Sequence, residues 1–309
     1  MSEPARLVVV GAGAMGGSLA AHAARAGHAV TVVDAAPEVV AAIRDGGVEV
    51  EAPEGTFRAA VAATDDPAGI GVVDVVVLFV KAQHTAAAAR SIAPLVGPDT
   101  AVVTLQNGWG NADRIAAEVR PEQLVVGVTY NSCTARGPGR VVHSGRGPTT
   151  VGPYTGDDLG RATAVAALLD GAGWAATATA EVRTAIWRKL VLNCATLPTA
   201  ALSRLTAGAL GEPGELRDLV DAVAAEAVAV AVAQGLDVDV DERTAAIHDV
   251  LARAGSGRAS MLQDVLAGRK TEIETVNGAV VALGAELGVP VPLNRALVAL
   301  VHGLERSWS

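Results

Sequence analysis

The sequence predicts an α/β protein in two parts, a doubly wound N-terminal sheet domain followed by an all-α C-terminal domain. In the first half, short β-branched runs alternate with helical patterns, as in βαβ units. One run, residues 72–80, is almost wholly apolar, which is typical of a strand covered on both faces. From about residue 181 the pattern is helical nearly throughout. We therefore expect domains at 1–179 and 180–309.

The elements of the first domain follow from apolar periodicity and turn residues. Pro53-Glu54-Gly55 separates two short runs and predicts a hairpin. The predicted strands cover residues 7–10, 28–33, 48–50, 57–61, 72–80, 101–105, 124–129, 141–142, 149–151 and 175–177. The predicted helices cover residues 14–26, 38–45, 83–95, 112–119 and 159–171.

The stretch after the first strand is rich in glycine. Gly11, Gly13 and Gly16 have the G-x-G-x-x-G spacing at a strand–turn–helix junction, where this spacing indicates dinucleotide binding. The first glycine permits a sharp turn, the second lets a pyrophosphate approach the backbone, and the third lets the helix pack on the strand. The alternative is a tight turn without a ligand. We predict a Rossmann-type domain whose cofactor loop is Gly11, Ala12, Gly13, Ala14, Met15 and Gly16.

An acidic residue ends the second predicted strand. Asp34 follows the first glycine by about the ~20 residues expected of a carboxylate that binds the adenosine ribose. A carboxylate there repels a 2′-phosphate, and no Arg or Lys lies between Asp34 and Ile43 to attract one. The sequence therefore favours NAD over NADP. The alternative is that Asp34 only starts a turn before Pro37.

The second domain should consist of helices separated by glycines and prolines. They are expected at residues 182–202, 214–234, 241–251, 260–266, 272–287 and 294–305. In folds of this type, ligands bind at the carboxyl ends of the sheet strands. We expect the active-site crevice there, between the two domains.

Two polar residues directly follow predicted buried strands. Lys81 and Asn107 should therefore point toward the cofactor crevice. A lysine at the end of an apolar strand is costly unless it reaches solvent or a partner. The alternative for Lys81 is that its side chain simply extends to water.

Three further candidates lie in the helical half. Lys189 and Asn193 are four residues apart in apolar surroundings, so they share one helix face, and a part-buried lysine has a lowered pKa suited to proton donation. Glu272 begins an apolar helical stripe, although an acid there also complements the helix dipole. Thr271 and Glu274 fit a capping box, so Glu272 is not needed for that role. The alternative for Lys189 is an ordinary surface lysine.

Composition excludes several classes of protein. A net charge of −9 disfavours nucleic acid as a partner. No apolar run reaches the ~18 residues that span a bilayer. Two cysteines form neither a disulfide framework nor a zinc site. We expect a cytoplasmic protein with no metal and a small-molecule substrate.

Taken together, these blocks resemble the ketopantoate reductases (2-dehydropantoate 2-reductases) along nearly the whole chain. The resemblance is carried by residues 11–16, 80–83, 105–108, 187–193, 260–264, 269–274, 277–281 and 288–292. Their order and spacing together are far more specific than any single block.

The resemblance implies a role for each candidate. Lys189 matches the lysine that protonates the carbonyl oxygen during hydride transfer, and Glu272 matches a glutamate near nicotinamide and substrate. Lys81 and Asn107 match a pair beside the nicotinamide, and Asn107 also faces the substrate. Asn193 and Ser260 match groups that hold the substrate's hydroxyl and carboxylate. From its position alone, Ser260 could equally be a plain helix N-cap.

Four positions depart from the family pattern. Three expected pocket asparagines fall on Leu197, Ala207 and Gly257. Their loss removes hydrogen bonds that a polar substrate requires. Asp34 also departs, because the best-known members prefer NADP.

The leading hypothesis is an NAD(P)H-dependent reductase of a small 2-oxo acid, most directly 2-dehydropantoate to pantoate. One alternative is a related oxidoreductase acting on a different 2-oxo or hydroxy acid. An alternative of another class is a dinucleotide sensor without turnover. A homodimer, with its contact in the helical domain, is a further expectation.

Overall fold

The computed structural model describes residues 4–308 and divides the chain into two compact units. The first, the sheet unit, runs to Gln106 and resumes over Asn111–Val182. The second, the helical unit, combines Asn107–Gly110 with the chain from Arg183 onward. The structural division thus falls slightly later than residue 179 and gives one short segment of the first half to the helical unit.

The main sheet has eight strands in the order β12-β11-β8-β7-β6-β1-β2-β5. All pairings are parallel except that of β11 with β8. The strand order reverses at β1, which makes the predicted doubly wound arrangement and places a switch point between β1 and β6. Its strands are β1 (Arg6–Val10), β2 (Ala29–Val33), β5 (Ala62–Thr64), β6 (Val75–Leu78), β7 (Ala101–Thr104), β8 (Leu124–Thr129), β11 (Thr149–Pro153) and β12 (Ala176–Ala178).

A second, four-stranded sheet has the order β4-β3-β10-β9. The predicted hairpin is confirmed, since β3 (Val48–Ala52) pairs antiparallel with β4 (Gly55–Ala59). β10 (Arg140–Gly145) covers the predicted run at 141–142 and pairs with β9 (Ser132–Gly137). The sequence pattern missed β9 because its mostly polar residues show no apolar alternation.

The helices of the sheet unit are α1 (Ala14–Arg25), α2 (Pro37–Gly46), α3 (Thr85–Ser91), α4 (Asn111–Ala116) and α5 (Gly160–Gly171). The helix predicted over 83–95 is shorter, with a 3₁₀ turn on each side of α3. Pro94 explains the early end, because proline cannot supply the N–H that would continue the helix.

A buried polar cluster joins α1 to the second sheet. His143 Nδ1 lies 3.2 Å from His22 Nε2, and His143 Nε2 lies 3.0 Å from Asn131 Oδ1. Ser18 Oγ lies 3.3 Å from His143 Nδ1. Burial lowers the pKa of His22 to about 4 and lowers that of His143 as well. Both rings are therefore neutral near pH 7, and the hydrogen bond between them connects α1 to β10 without a charged group.

The helical unit contains α6 (Val182–Ser203), α7 (Ala207–Leu210), α8 (Glu215–Ala233), α9 (Val240–Ala254), α10 (Ser260–Leu266), α11 (Ala279–Leu287) and α12 (Pro292–Arg306). Its core is made of apolar side chains from most of these helices. Within residues 4–308, no helix combines the length and the apolar character needed to cross a membrane.

The helix predicted over 272–287 is divided in the structure. A π-helical turn covers Glu274–Gly278 before α11 begins, and Gly278 N donates to Ile273 O at 2.9 Å, an i to i+5 bond. The predicted capping box is wrong: Thr271 N and Oγ1 donate to the Glu305 carboxylate at 2.8 and 2.6 Å. Thr271 Oγ1 does accept from Ile273 N at 3.3 Å, but Thr271 N binds the Glu305 carboxylate from α12 and not the Glu274 side chain that a capping box requires.

Candidate active site

The glycine turn after β1 needs glycine for steric reasons at two positions. Gly11 has φ +95°, and a Cβ there would lie 2.9 Å from Val80 N, because the turn passes over the end of β6. A Cβ on Gly16 would overlap the carbonyl oxygen of Gly11. These contacts support the predicted reasons for the first and third glycines, namely the sharp turn and the close approach of helix to strand.

Gly13 differs from its two neighbours. It is the N-cap residue of α1, and a Cβ placed on it meets no atom within 4 Å. The first turn of α1 carries no acidic side chain. An open approach to free helix N–H groups suits a phosphate, so the loop fits the pyrophosphate of a dinucleotide.

Asp34 is fixed beside this loop. One carboxylate oxygen accepts a hydrogen bond from Ala12 N at 2.7 Å, and the other accepts from Ala36 N at 2.9 Å. The second bond forms the turn before Pro37 that the alternative interpretation describes, and the first bond joins the same carboxylate to the glycine loop. Each oxygen keeps a further lone pair, which leaves the carboxylate able to accept from a ribose hydroxyl.

Gln106, which the sequence analysis did not identify as a candidate, connects two loops of the sheet unit. Gln106 follows β7 closely, and its Nε2 donates to Val80 O at 2.7 Å and to Thr85 Oγ1 at 2.9 Å. Lys81, part-buried, comes directly after Val80. The rule that picked out Lys81 and Asn107, a polar residue after a buried strand, also applies to Gln106. Gln106 therefore fixes the backbone from which Lys81 projects.

Asn107–Gly110 is held by the π-helical turn of the helical unit. Gly108 has φ +87°, and a Cβ there would overlap the carbonyl oxygen of Thr275. Trp109 N donates to that same oxygen at 2.7 Å. Lys81 and Asn107, predicted as a pair, thus belong to different units. Asn107 itself is part-buried.

The indole of Trp109 anchors this segment further. Its ring centroid lies 5.5 Å from that of Trp187, which is fully buried in α6. The guanidinium of Arg183 lies 5.5 Å from the Trp109 ring. Trp187 stands two residues before Lys189, so the segment containing Asn107 packs against the part of α6 that carries the candidate proton donor.

Lys189 is part-buried on α6. Desolvation lowers the pKa of its ammonium to about 8, while the negative charge of Glu272 acts to raise it. The structure therefore brings these two candidates into electrostatic contact. Asn193 lies one helical turn further along α6 and is buried, with 6% of its surface exposed. A lysine with this pKa is partly deprotonated near neutral pH and can exchange a proton readily.

The remaining candidate, Ser260, and the three positions that depart from the family pattern lie in the helical unit. Ser260 is exposed and is the first residue of α10, whereas Ala259 occupies the N-cap position, so the capping alternative for Ser260 is wrong. Ala207 N donates to Gly257 O at 2.9 Å, so two of the positions that differ from the family pattern are in contact. Leu197 packs against apolar cores. Where family members are expected to carry amides, this chain presents backbone and apolar groups.

Comparison with known proteins identifies one family over both halves of the chain. Residues 7–156 match the family Ketopantoate reductase PanE/ApbA, and residues 181–305 match the Ketopantoate reductase PanE/ApbA C terminal family. A 2-dehydropantoate 2-reductase from Halobacterium salinarum is 36% identical over 306 residues, covering 97% of this chain and 99% of the relative.

Solved structures are similar over the same extent. A ternary structure of D-mandelate dehydrogenase with NADH and anilino(oxo)acetate has a TM-score of 0.93 at 26% identity, covering 98% of this chain and 99% of that chain. A 2-dehydropantoate 2-reductase from Geobacter metallireducens has a TM-score of 0.92 at 29% identity, covering 96% and 99%. This chain belongs to the ketopantoate reductase family and is an NAD(P)-dependent oxidoreductase that acts on CH–OH groups.

Proposed function

We propose that this enzyme reduces a small 2-oxo acid, most directly 2-dehydropantoate to pantoate, with Lys189 as the proton donor. This proposal rests on the part-buried ammonium of Lys189, whose pKa is about 8, and on the negative charge of Glu272, which acts to raise that pKa. Reduction adds a hydride to the carbonyl carbon and a proton to the carbonyl oxygen. A reduced nicotinamide supplies the hydride when it is bound.

The residues of the helical unit divide the remaining work. Lys189 holds the proton at Nζ and polarises the carbonyl oxygen. The negative charge of Glu272 raises the pKa of that ammonium, so Lys189 stays protonated to a higher pH in its apolar surroundings. Asn193, Ser260 and Asn107 supply hydrogen bonds for the substrate's hydroxyl and carboxylate. An amide or hydroxyl that pairs with a substrate group orients it without adding charge.

We further propose that NADH is preferred over NADPH. Asp34 is held at the end of β2 by two backbone N–H groups, beside the turn suited to the pyrophosphate. Its negative charge would oppose the phosphate on the ribose of NADPH. Kinetics with both cofactors test this point. Replacing Asp34 by Ser should narrow the preference by about 10-fold, in keeping with the loss of one polar contact and one repulsion. A wild-type preference for NADPH would contradict the proposal.

A second candidate is a related activity on another 2-oxo acid with a less polar substituent. Two observations favour it. The three positions expected to carry amides are Leu197, Ala207 and Gly257. A close structural match is a D-mandelate dehydrogenase, a protein named for an aromatic 2-hydroxy acid. A pocket without those amides accepts an apolar group at lower cost than a hydroxyl that would go unpaired.

One assay distinguishes these functions. The purified enzyme is mixed with NADH or NADPH and with ketopantoate, phenylglyoxylate or unbranched 2-oxo acids, while nicotinamide absorbance is followed. A kcat/KM highest for ketopantoate supports the first proposal, and a higher value for phenylglyoxylate supports the second. Dinucleotide binding without any turnover would contradict both and favour a sensor.

The expected homodimer is also a proposal. Several large apolar side chains of the helical unit are exposed, among them Leu266, Leu300 and Trp308. Exposed apolar side chains of this size are compatible with a contact between copies. Light scattering of the purified enzyme measures the mass in solution, and a monomer at working concentrations would contradict the expectation.

A further inference from the structure

Helix α6 contains a proline, and its backbone is incomplete as a result. Pro198 lies inside the helix and has no N–H to donate. The carbonyl four residues earlier, on Cys194, therefore lacks its helical partner. Cys194 directly follows Asn193, so the unpaired carbonyl lies in the stretch that carries the candidate substrate-binding side chains. A buried carbonyl of this kind needs a donor from elsewhere.

Asn277 supplies that donor. Its Nδ2 donates to Cys194 O at 3.0 Å and to Asn294 Oδ1 at 2.9 Å. Asn277 is completely buried and belongs to the π-helical turn Glu274–Gly278 that follows Glu272. One side chain thus connects the helix of Lys189 to the turn that begins beside Glu272.

The contact extends to a charged group behind Asn277. Asn294 Nδ2 donates to Glu226 Oε2 at 2.8 Å. The same carboxylate accepts from Leu293 N at 2.9 Å and from Asn294 N at 3.0 Å. These N–H groups belong to the first turn of α12, where Val291 at the N-cap position has no side-chain acceptor. Glu226 from α8 therefore caps α12 and fixes Asn294, which in turn fixes Asn277.

Packing alone does not explain an amide at position 277. Within residues 4–308, Asn277 Oδ1 is a buried polar atom with no hydrogen-bond partner. An unsatisfied buried acceptor costs stability, and a side chain of similar volume without it would avoid that cost. The observation points to a role for the donating nitrogen that offsets the unpaired oxygen.

We propose that Asn277, held by Asn294 and Glu226, is a positioning residue that sets the place of Lys189 and Asn193 relative to Glu272. This inference rests on the proposed roles of Lys189 and Glu272. Asn277 does not touch the substrate. It fixes the segment of α6 in which Pro198 interrupts the backbone hydrogen bonding. Asn193 and Lys189, which lie earlier on the same helix, therefore keep their geometry. Small displacements of reacting groups lower turnover steeply.

The central test is Asn277→Leu, which keeps the volume and removes the donor. We expect kcat to fall about 10-fold or more, with an unchanged affinity for the dinucleotide. Because a loosened α6 exposes the amine to water, the pKa of Lys189 should move upward from about 8. NMR of the reductively methylated lysine measures that pKa without any need for turnover.

Gln123→Leu is the matched control. Gln123, which directly precedes β8, is a buried amide of the sheet unit that donates to backbone carbonyls in the loop before β7, at 2.7 Å to Gly97 O and 3.0 Å to Thr100 O. It should lower the melting temperature while leaving kcat and the pKa of Lys189 unchanged. If folded Asn277→Leu also keeps wild-type kcat and the wild-type Lys189 pKa, the inference is overturned.

A double variant tests whether Asn277 acts through its hydrogen bond to the Cys194 carbonyl. Pro198→Ala gives α6 an N–H that can bond to Cys194 O, so the kcat loss from Asn277→Leu should shrink to about twofold in that background. An equal loss in both backgrounds overturns the inference. Failure of the proposed function gives a different signature: Lys189→Ala would retain wild-type kcat, or no 2-oxo acid would be reduced, while the pKa comparison would still decide the role of Asn277.

Discussion

The two units build their candidate sites from different parts of the polypeptide. In the sheet unit the site is mainly backbone: a glycine turn, the first N–H groups of α1, and one carboxylate bound to that backbone. In the helical unit it consists of side chains, Lys189 and Glu272, from segments far apart in sequence. The first kind of site depends on local conformation, and the second depends on how helices pack.

Variants in the two units should therefore change different properties of the enzyme. Substitutions at the glycine turn act on space and dihedral angles, so they should affect dinucleotide affinity. Substitutions near Lys189 act on proton affinity and orientation, so they should affect turnover. If the two kinds of site are separate, a variant in one unit should leave the property of the other unit unchanged.

The largest effect is expected at the proton donor. Lys189→Ala should lower kcat by about 100-fold or more while dinucleotide affinity stays near the wild-type value. Steady-state kinetics and a fluorescence titration with NADH measure the two quantities. Lys270→Ala, at an exposed lysine of the same unit, should leave both unchanged. A Lys189→Ala enzyme with normal kcat would remove the lysine from its role.

The stability of the sheet unit should depend on pH through His22. His22 has a folded pKa of about 4 against 6.5 in the unfolded chain, so the unfolded state binds the proton first as pH falls. The free energy of unfolding should therefore drop by about 2 kcal/mol between about pH 7 and about pH 5. Denaturant unfolding measures it, and His22→Leu should flatten the dependence. An unchanged slope in that variant would show that other groups carry it.

Two glycines of the same turn should behave differently. Gly13→Ala has open space for its methyl group, so stability should hold while dinucleotide affinity falls about 10-fold, because the methyl occupies the approach of the pyrophosphate. Gly16→Ala, whose Cβ would overlap the Gly11 carbonyl, should instead lower the melting temperature. Calorimetry and titration separate the two outcomes. Equal melting temperatures for both variants would contradict the steric argument.

The smallest effect is a displacement of the pH profile of turnover. In the reductive direction, kcat should fall as pH rises above about 8, because Lys189 loses its proton. Glu272→Gln removes the charge that raises this pKa, so the fall should begin about one pH unit lower. Glu274→Gln, at an exposed carboxylate that pairs with His302, is the matched control. A profile unmoved by Glu272→Gln would show that its charge does not act on Lys189.

The sequence predicted best what local backbone conformation decides. The doubly wound sheet, the hairpin of β3 and β4, and most helix bounds follow from apolar spacing and turn residues. Pro198 lies within α6, and a proline there leaves the Cys194 carbonyl without its helical partner. Nothing in the pattern could say that Asn277, far along the chain, would bind it. Likewise, Thr271 and Glu274 had the spacing of a capping box, yet Thr271 binds Glu305, because tertiary packing brings a charged acceptor to it.

The tetrapeptide Asn107–Gly110 constrains how this family can be recombined. It is encoded within the first half but hydrogen-bonds to Thr275 and stacks on Trp187. A chimera joined by a single crossover near residue 182 would pair one parent's tetrapeptide with the other parent's helices. Exchange of a complete helical unit between relatives therefore requires two grafts, the segment from Arg183 onward and this tetrapeptide, moved together.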